Sequence, residues 1–284
     1  MTKMSPIFKI TFSALFIALG IVLSRFASLP GLFGLPFLKI SISPAIVMFS
    51  SFYLGPIYGL AVGTLTDVLG ALLFPTGAFN PLYTIAASLT GLIPFLAYWL
   101  LRKIKIEDKF PFIGASLSIL FTIGLIIFCS LNDSITSESG KTTYQITTGM
   151  KFGLCITAIC LTAALIVLCI FLPRIFKKRK FAKYYNINLI VSSVFITYFL
   201  FKIPVGSLVQ SILLEWDFLV ILLVRTMTGF ITSFVQITII TIALDVSLHF
   251  NLKGSLIEIK REEVKENSWV LQGFCKYSTL NYNF

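Results

Sequence analysis

The sequence predicts an all-α integral membrane protein of about eight membrane helices with both termini cytoplasmic (N-in/C-in). Three observations predict it. The chain of 284 residues is 57% hydrophobic and only 12% charged, too little polar material to cover a water-soluble core. The apolar residues gather into long runs separated by short polar links or links rich in proline and glycine. The cations concentrate in alternate links, which gives each link a side of the membrane.

The runs lie at about 6–24, 43–55, 57–74, 81–101, 111–131, 149–172, 187–203 and 218–246. A spanning helix needs roughly 20 apolar residues. The second and third runs are shorter and joined by "LGP", so they read as one tight hairpin. With the N-terminus inside, the inner segments hold Lys3, Lys9, "RKIKIEDK" (102–109), "RIFKKRKFAK" (174–183) and the tail, and 17 of the 23 Lys and Arg fall there. The outer links at 132–148 and 204–217 have few cations and include Asp133, Glu138, Glu215 and Asp217. This asymmetry predicts a multi-pass protein of the cell membrane. A net charge of +11 could also suit nucleic acid, but each basic cluster abuts a span end, where anionic membrane lipid accounts for it.

The first run, "TFSALFIALGIVLS", has no small-residue cleavage pattern after it and reads as a retained helix. Ala14 and Ala18 form a small-xxx-small pair that lets another helix come close. Next comes "SRFASLPGLFGLPFLKISISP" (24–44), which carries Arg25 and Lys39 with no acid nearby. Its topology puts it outside, so inner-leaflet lipid does not explain the two cations. Arg25 suits an anionic ligand, whereas Lys39 reads either as a second ligand group or as a solvated loop charge.

In the third run Gly59, Gly63 and Gly70 recur at spacings of four and seven, a face on which a neighbouring backbone can approach closely. Asp67 lies four residues after Gly63 and three before Gly70, so it shares that face and points into the bundle. It is either a structural hydrogen-bonding group or part of a substrate path. Arg225, in "LLVRTMTGF" of the last run, is a second intramembrane charge that could pair with Asp67 or face an anion.

The link "LFPTGAFNPLYT" (73–84) carries Phe74, Pro75, Gly77, Phe79, Asn80 and Tyr83. Its prolines and glycine shape an irregular, fairly rigid loop. Its aromatics either stack on a planar ligand or belong to an interfacial belt.

Four of the five cysteines (Cys129, Cys155, Cys160, Cys169) lie in apolar runs without CxxC spacing and read as buried packing residues. One histidine, His249, leaves no HExxH site. With no nucleophile–base pairing, no metal-ligand cluster and no GxxxxGK[ST] loop, the chain reads as no enzyme, without cofactor or metal. ATP-driven work would have to come from a partner. The tail, 251–284, is too short for a domain and reads as a cytoplasmic appendage to a membrane domain spanning 1–250.

The runs "ALFIALGIVLSRF" and "ISISPAIVMFSSFYLGPIYGLAVGTLTDVLGALLFPTGAFNPLYTIAASLTGLI" resemble the folate-specific S component of energy-coupling-factor (ECF) transporters over about residues 12–100. The resemblance implies a six-helix, membrane-embedded subunit that captures a vitamin outside with high affinity. It then docks on a transmembrane coupling subunit with two ATPases and releases the vitamin inside. It further implies that Ala14 and Ala18 form the contact surface for the coupling subunit. The pocket would be built around Arg25, Lys39, Asp67, Phe74, Pro75, Gly77, Phe79, Asn80, Tyr83 and Arg225. Asp67 can accept two hydrogen bonds from a pterin edge, and Arg25 can meet a carboxylate or carbonyl.

The chain departs from the family in two places. A helical hairpin, about 110–173, is inserted between the fourth and fifth family helices, and Asn80 stands where an aromatic is more common. A related reduced pterin or another vitamin therefore stays open as substrate. So does a membrane scaffold that has lost transport.

Overall fold

A computed structural model describes residues 5–30, 39–75, 79–104, 185–214 and 218–249, together with Gly254 and scattered positions between 119 and 167. The fold is helical. Helix α1 (Pro6–Arg25) starts where the Ser5 hydroxyl accepts a hydrogen bond from the Phe8 amide at 3.3 Å and Pro6 takes the first position, which needs no donor. After α1 a short antiparallel pair forms, β1 (Ser28–Pro30) with β2 (Lys39–Ser41), in the register Ser28 to Ser41 and Pro30 to Lys39.

Helices α2 (Ser43–Leu54) and α3 (Pro56–Leu73) are separated by Gly55 alone, which has φ 112°. Only glycine takes that conformation without strain, and Pro56 then fits the first turn of α3. The tight hairpin expected at "LGP" is thus present. Helix α4 (Pro81–Lys103) is capped by the Asn80 side chain and carries Pro94 in its interior.

Helix α5 (Ile187–Ile196) runs through a π-helical turn (Thr197–Lys202) straight into α6 (Ile203–Leu214), and α7 (Phe218–His249) closes the series. The expected outer link at 204–217 is therefore corrected, because most of it is helix. Pro204 is the second residue of α6, directly after the π-helical turn.

The links also carry short strands, and one cysteine departs from expectation. Alongside β1 and β2, a second pair, β3 (Ser134–Thr136) and β4 (Thr143–Gln145), forms in the expected 132–148 link, so the connections are not purely irregular. Cys155 is half-buried and Cys160 exposed, so Cys160 is not a core residue. The rest of the inserted hairpin and of the tail lies outside the described residues, as do residues 31–38 and Gly77.

Among the described residues, α1, α3, α4 and the continuous stretch Ile187–Leu213 are long and apolar enough to cross a membrane. Helix α2 is not. Its 12 residues rise about 18 Å, against a hydrocarbon core of roughly 30 Å. Yet α2 is the hub, packing against α1, α3, α4 and α7. Its Ala45, Met48, Phe52, Tyr53 and Leu54 are almost wholly buried. Phe49 stacks on Tyr53 with ring centroids 5.5 Å apart, and Phe16 of α1 meets Phe49 edge-on at 5.4 Å.

The α3–α4 crossing is made by glycines, as the sequence spacing predicts. A Cβ on Gly91 would collide with the Gly59 carbonyl, and one on Gly63 with the Ala87 carbonyl. On the other side of α3, a Cβ on Gly20 of α1 would lie 2.9 Å from Thr66 Cγ2. Where lipid gives no hydrophobic drive between helices, such backbone contact is what holds them together.

Candidate functional site

A short hub surrounded by longer helices leaves its N-terminal end enclosed by the upper turns of its neighbours, and the polar residues of the bundle gather there. The Val47, Gly63 and Ala87 contacts place α2, α3 and α4 at one level. One turn closer to the N-terminus of α2 come Asp67 on α3 and Thr84 on α4. The Thr84 hydroxyl donates to Asp67 Oδ2 at 2.7 Å. Asp67 thus faces the bundle, as its spacing from Gly63 predicts. It takes Thr84 as its partner, while the recorded partner of Arg225 is a different residue.

Arg25 lies a turn farther out. Its guanidinium covers Gly70, where a Cβ would sit 3.5 Å from Arg25 Nη2. Gly70 thus lies beside the Arg25 guanidinium at van der Waals distance and is not a close backbone crossing. Since Gly70 follows Asp67 by less than a turn, Arg25 and Asp67 border the same end of α3. Phe26, next in the chain, meets Phe74 edge-on at 5.9 Å, with both rings exposed.

On the opposite flank α5, α6 and α7 supply a second polar group. Arg225 of α7 donates from Nε to Gln210 Oε1 at 2.8 Å, and its guanidinium lies directly on the backbone of Gly206 in α6. Tyr83 of α4 lies within electrostatic range of Arg225. Lys202, the last residue of the π-helical turn, donates to the Tyr198 hydroxyl at 2.8 Å, with Nζ 4.5 Å from the centre of that ring. Tyr198 is in turn within hydrogen-bonding reach of Thr232 and Gln236 of α7. Gln236 Nε2 donates to the Ser41 carbonyl at 3.3 Å, which ties the end of β2 to α7 at the mouth of α2.

The structure thus sets Asp67 and Arg25 at the N-terminal end of α2, while Arg225, beside Tyr83, Gly206 and Gln210, belongs to the opposite flank. It sets others apart. Asn80 Oδ1 accepts from the Leu82 amide at 2.9 Å, so that side chain is occupied as the cap of α4. Phe74, Pro75 and Phe79 are exposed at the rim. The Lys39 backbone pairs with Pro30, at the end of the β1–β2 pair away from the bundle. Ala14 and Ala18 are exposed on α1, flanked by the exposed Ile7, Ile10, Leu15, Leu19 and Val22.

The sequence reading passed over Lys202, Tyr198, Gln210, Thr84 and Gln236. Lys202 had a visible signal, as a lone cation inside the run 187–203. The other four are ordinary polar residues of membrane helices, and only their meeting across helices distinguishes them.

Residues 8–137 match the family described as ECF transporter, substrate-specific component. The chain is also 29% identical over 103 residues to the folate transporter FolT of Clostridium novyi (strain NT), a match covering 36% of this chain and 57% of that protein. The chain thus spans less than two thirds of the relative's length. No solved structure matches. The matched region, a little under half of the chain, holds α1 to α4 with the glycine crossing, Arg25 and Asp67, and over it the chain is similar to the substrate-specific components of ECF transporters.

Proposed function

We propose that this protein is the vitamin-binding subunit of an ATP-driven ECF importer and that its substrate is folate or a closely related pterin. The observation that carries this reading is a carboxylate held inside an apolar bundle by a hydroxyl, Asp67 with Thr84, beside the arginine that lies over Gly70. A charge costs several kcal/mol at membrane depth, so it is retained where it meets a ligand. An acceptor-only carboxylate fits the donor edge of a pterin, on which an amino group and a ring amide point the same way.

With the N-terminus inside, the β1–β2 link and the α3–α4 link both lie outside, so the mouth opens toward the external medium. The exposed Ala14–Ala18 stripe of α1 is then the docking face for the coupling subunit, which brings two ATPases. Ala18→Trp should abolish co-purification with those subunits while leaving vitamin binding intact.

The test is saturable binding of folate to the purified full-length protein in detergent. Tight binding, weakened at least roughly thirtyfold in Asp67→Ala, is the expected result. Absence of binding to folate and all its reduced forms would overturn the substrate.

A further inference from the structure

Lys202 is an intramembrane charge for which the pocket described above has no use. It closes a π-helical turn, Thr197–Lys202, the one such turn among the described residues. Such turns cost backbone regularity, re-aim the side chains that follow, and concentrate at functional sites. Here the turn delivers the lysine to a cleft lined by Ala86, Leu89 and Thr90 of α4 and by Thr197, Phe201 and Val205. One of its three donors is engaged by Tyr198, itself fixed at the level of Gln236.

Arg225 lies within electrostatic range of Lys202. It is fixed too, by Gln210 and by the bare backbone of Gly206. Two cations are thus held on facing helices against their mutual repulsion. Among the described residues their neighbours are Tyr83, Tyr198, Gln210, Thr232 and Gln236, none of them acidic. The one carboxylate at this end, Asp67, is held by Thr84 on the other side of α4. Like charges held close in a low-dielectric interior repel, and an anion bound between them relieves that repulsion.

We propose that Lys202 and Arg225 form an anion subsite that takes the dicarboxylate end of the substrate. The inference rests on the vitamin-binding reading and deepens it. Tyr83 and Thr84, consecutive on α4, face the two poles, so one bound molecule would present hydrogen-bond donors to Asp67 and carboxylates to the cation pair.

The experiment uses the full-length protein in detergent, three probes, and p-aminobenzoate as a control. Folate has both ends, pteroate lacks the glutamate, and p-aminobenzoyl-glutamate lacks the pterin. Wild type should bind p-aminobenzoyl-glutamate measurably and p-aminobenzoate not at all. Lys202→Met should abolish that binding and weaken folate at least roughly tenfold, with pteroate changed less than about twofold. Lys202→Arg, which keeps the charge, should restore most of the loss and shows that the site is folded.

If folate and pteroate are weakened equally, or if p-aminobenzoyl-glutamate fails to bind wild type, the subsite is overturned and the vitamin-binding reading stands on folate binding alone. If p-aminobenzoyl-glutamate binds through Lys202 and folate does not bind, the subsite stands and the folate reading falls.

Discussion

The two sides of the bundle are held together in different ways. Helices α3 and α4 meet backbone to backbone through Gly59, Gly63 and Gly91, and Gly20 of α1 leaves room for the Thr66 side chain of α3. Helices α5, α6 and α7 meet through polar side chains, with Lys202 on Tyr198, Arg225 on Gln210, and Gln236 reaching to Ser41. Even the two glycines on this side meet side chains and not another backbone, Gly206 the Arg225 guanidinium and Gly229 the Ile203 side chain. The first side is a rigid frame whose geometry is set by the absence of atoms. The second is a set of adjustable groups whose geometry is set by hydrogen bonds, and these can be exchanged for bonds to a ligand.

The largest effect should come from breaking the frame. Gly91→Leu places a side chain against the Gly59 carbonyl, where only rigid backbone is available to move. We expect a loss of roughly 3 kcal/mol or more, seen as collapse of the thermal transition or of the monodisperse yield in detergent. A variant with wild-type melting would show that α3 and α4 can separate cheaply, and the contrast between the two sides would fail.

The same contrast explains what could be read from the sequence. Glycine spacing is a local pattern, so the α3–α4 crossing, the inward direction of Asp67 and the turn at Gly55 were all legible from residues 55–70. The polar side was not legible, because Arg225 stands on a different helix from Lys202 and Gln210 and no spacing relates it to them. The stretch 204–217 read as an outer link, whereas the helix continues through Leu214. Gly70 was legible as small but not as lying beside Arg25, since its neighbour comes from a helix about forty-five positions away along the chain.

Intermediate in size is the effect of disturbing the adjustable side. In Gly206→Ala the added methyl meets the far end of a flexible side chain, so Arg225 can swing away at a stability cost of about 1 kcal/mol. Its bond to Gln210 should be lost, and with it roughly tenfold in folate affinity. Equilibrium binding beside a melting curve separates the two effects. A large stability loss with unchanged affinity would make Gly206 a frame glycine like Gly91.

The smallest effect should come from Asn80, where the two roles a polar residue can have at the rim are separable. Its side chain caps α4 through the Leu82 amide at 2.9 Å, and Pro81 behind it leaves the first turn one donor fewer to satisfy. Asn80→Ala should therefore cost about 1 kcal/mol of stability, and Asn80→Asp or Asn80→Ser should recover most of it, because each offers an oxygen to the same amide. Folate affinity should change less than about twofold in all three, since a cap oxygen committed to the backbone has little left for a ligand. A loss of affinity in Asn80→Ser with its melting temperature intact would move Asn80 from the frame to the binding face. The 73–84 link would then contact substrate directly instead of only holding Tyr83 and Thr84 in place.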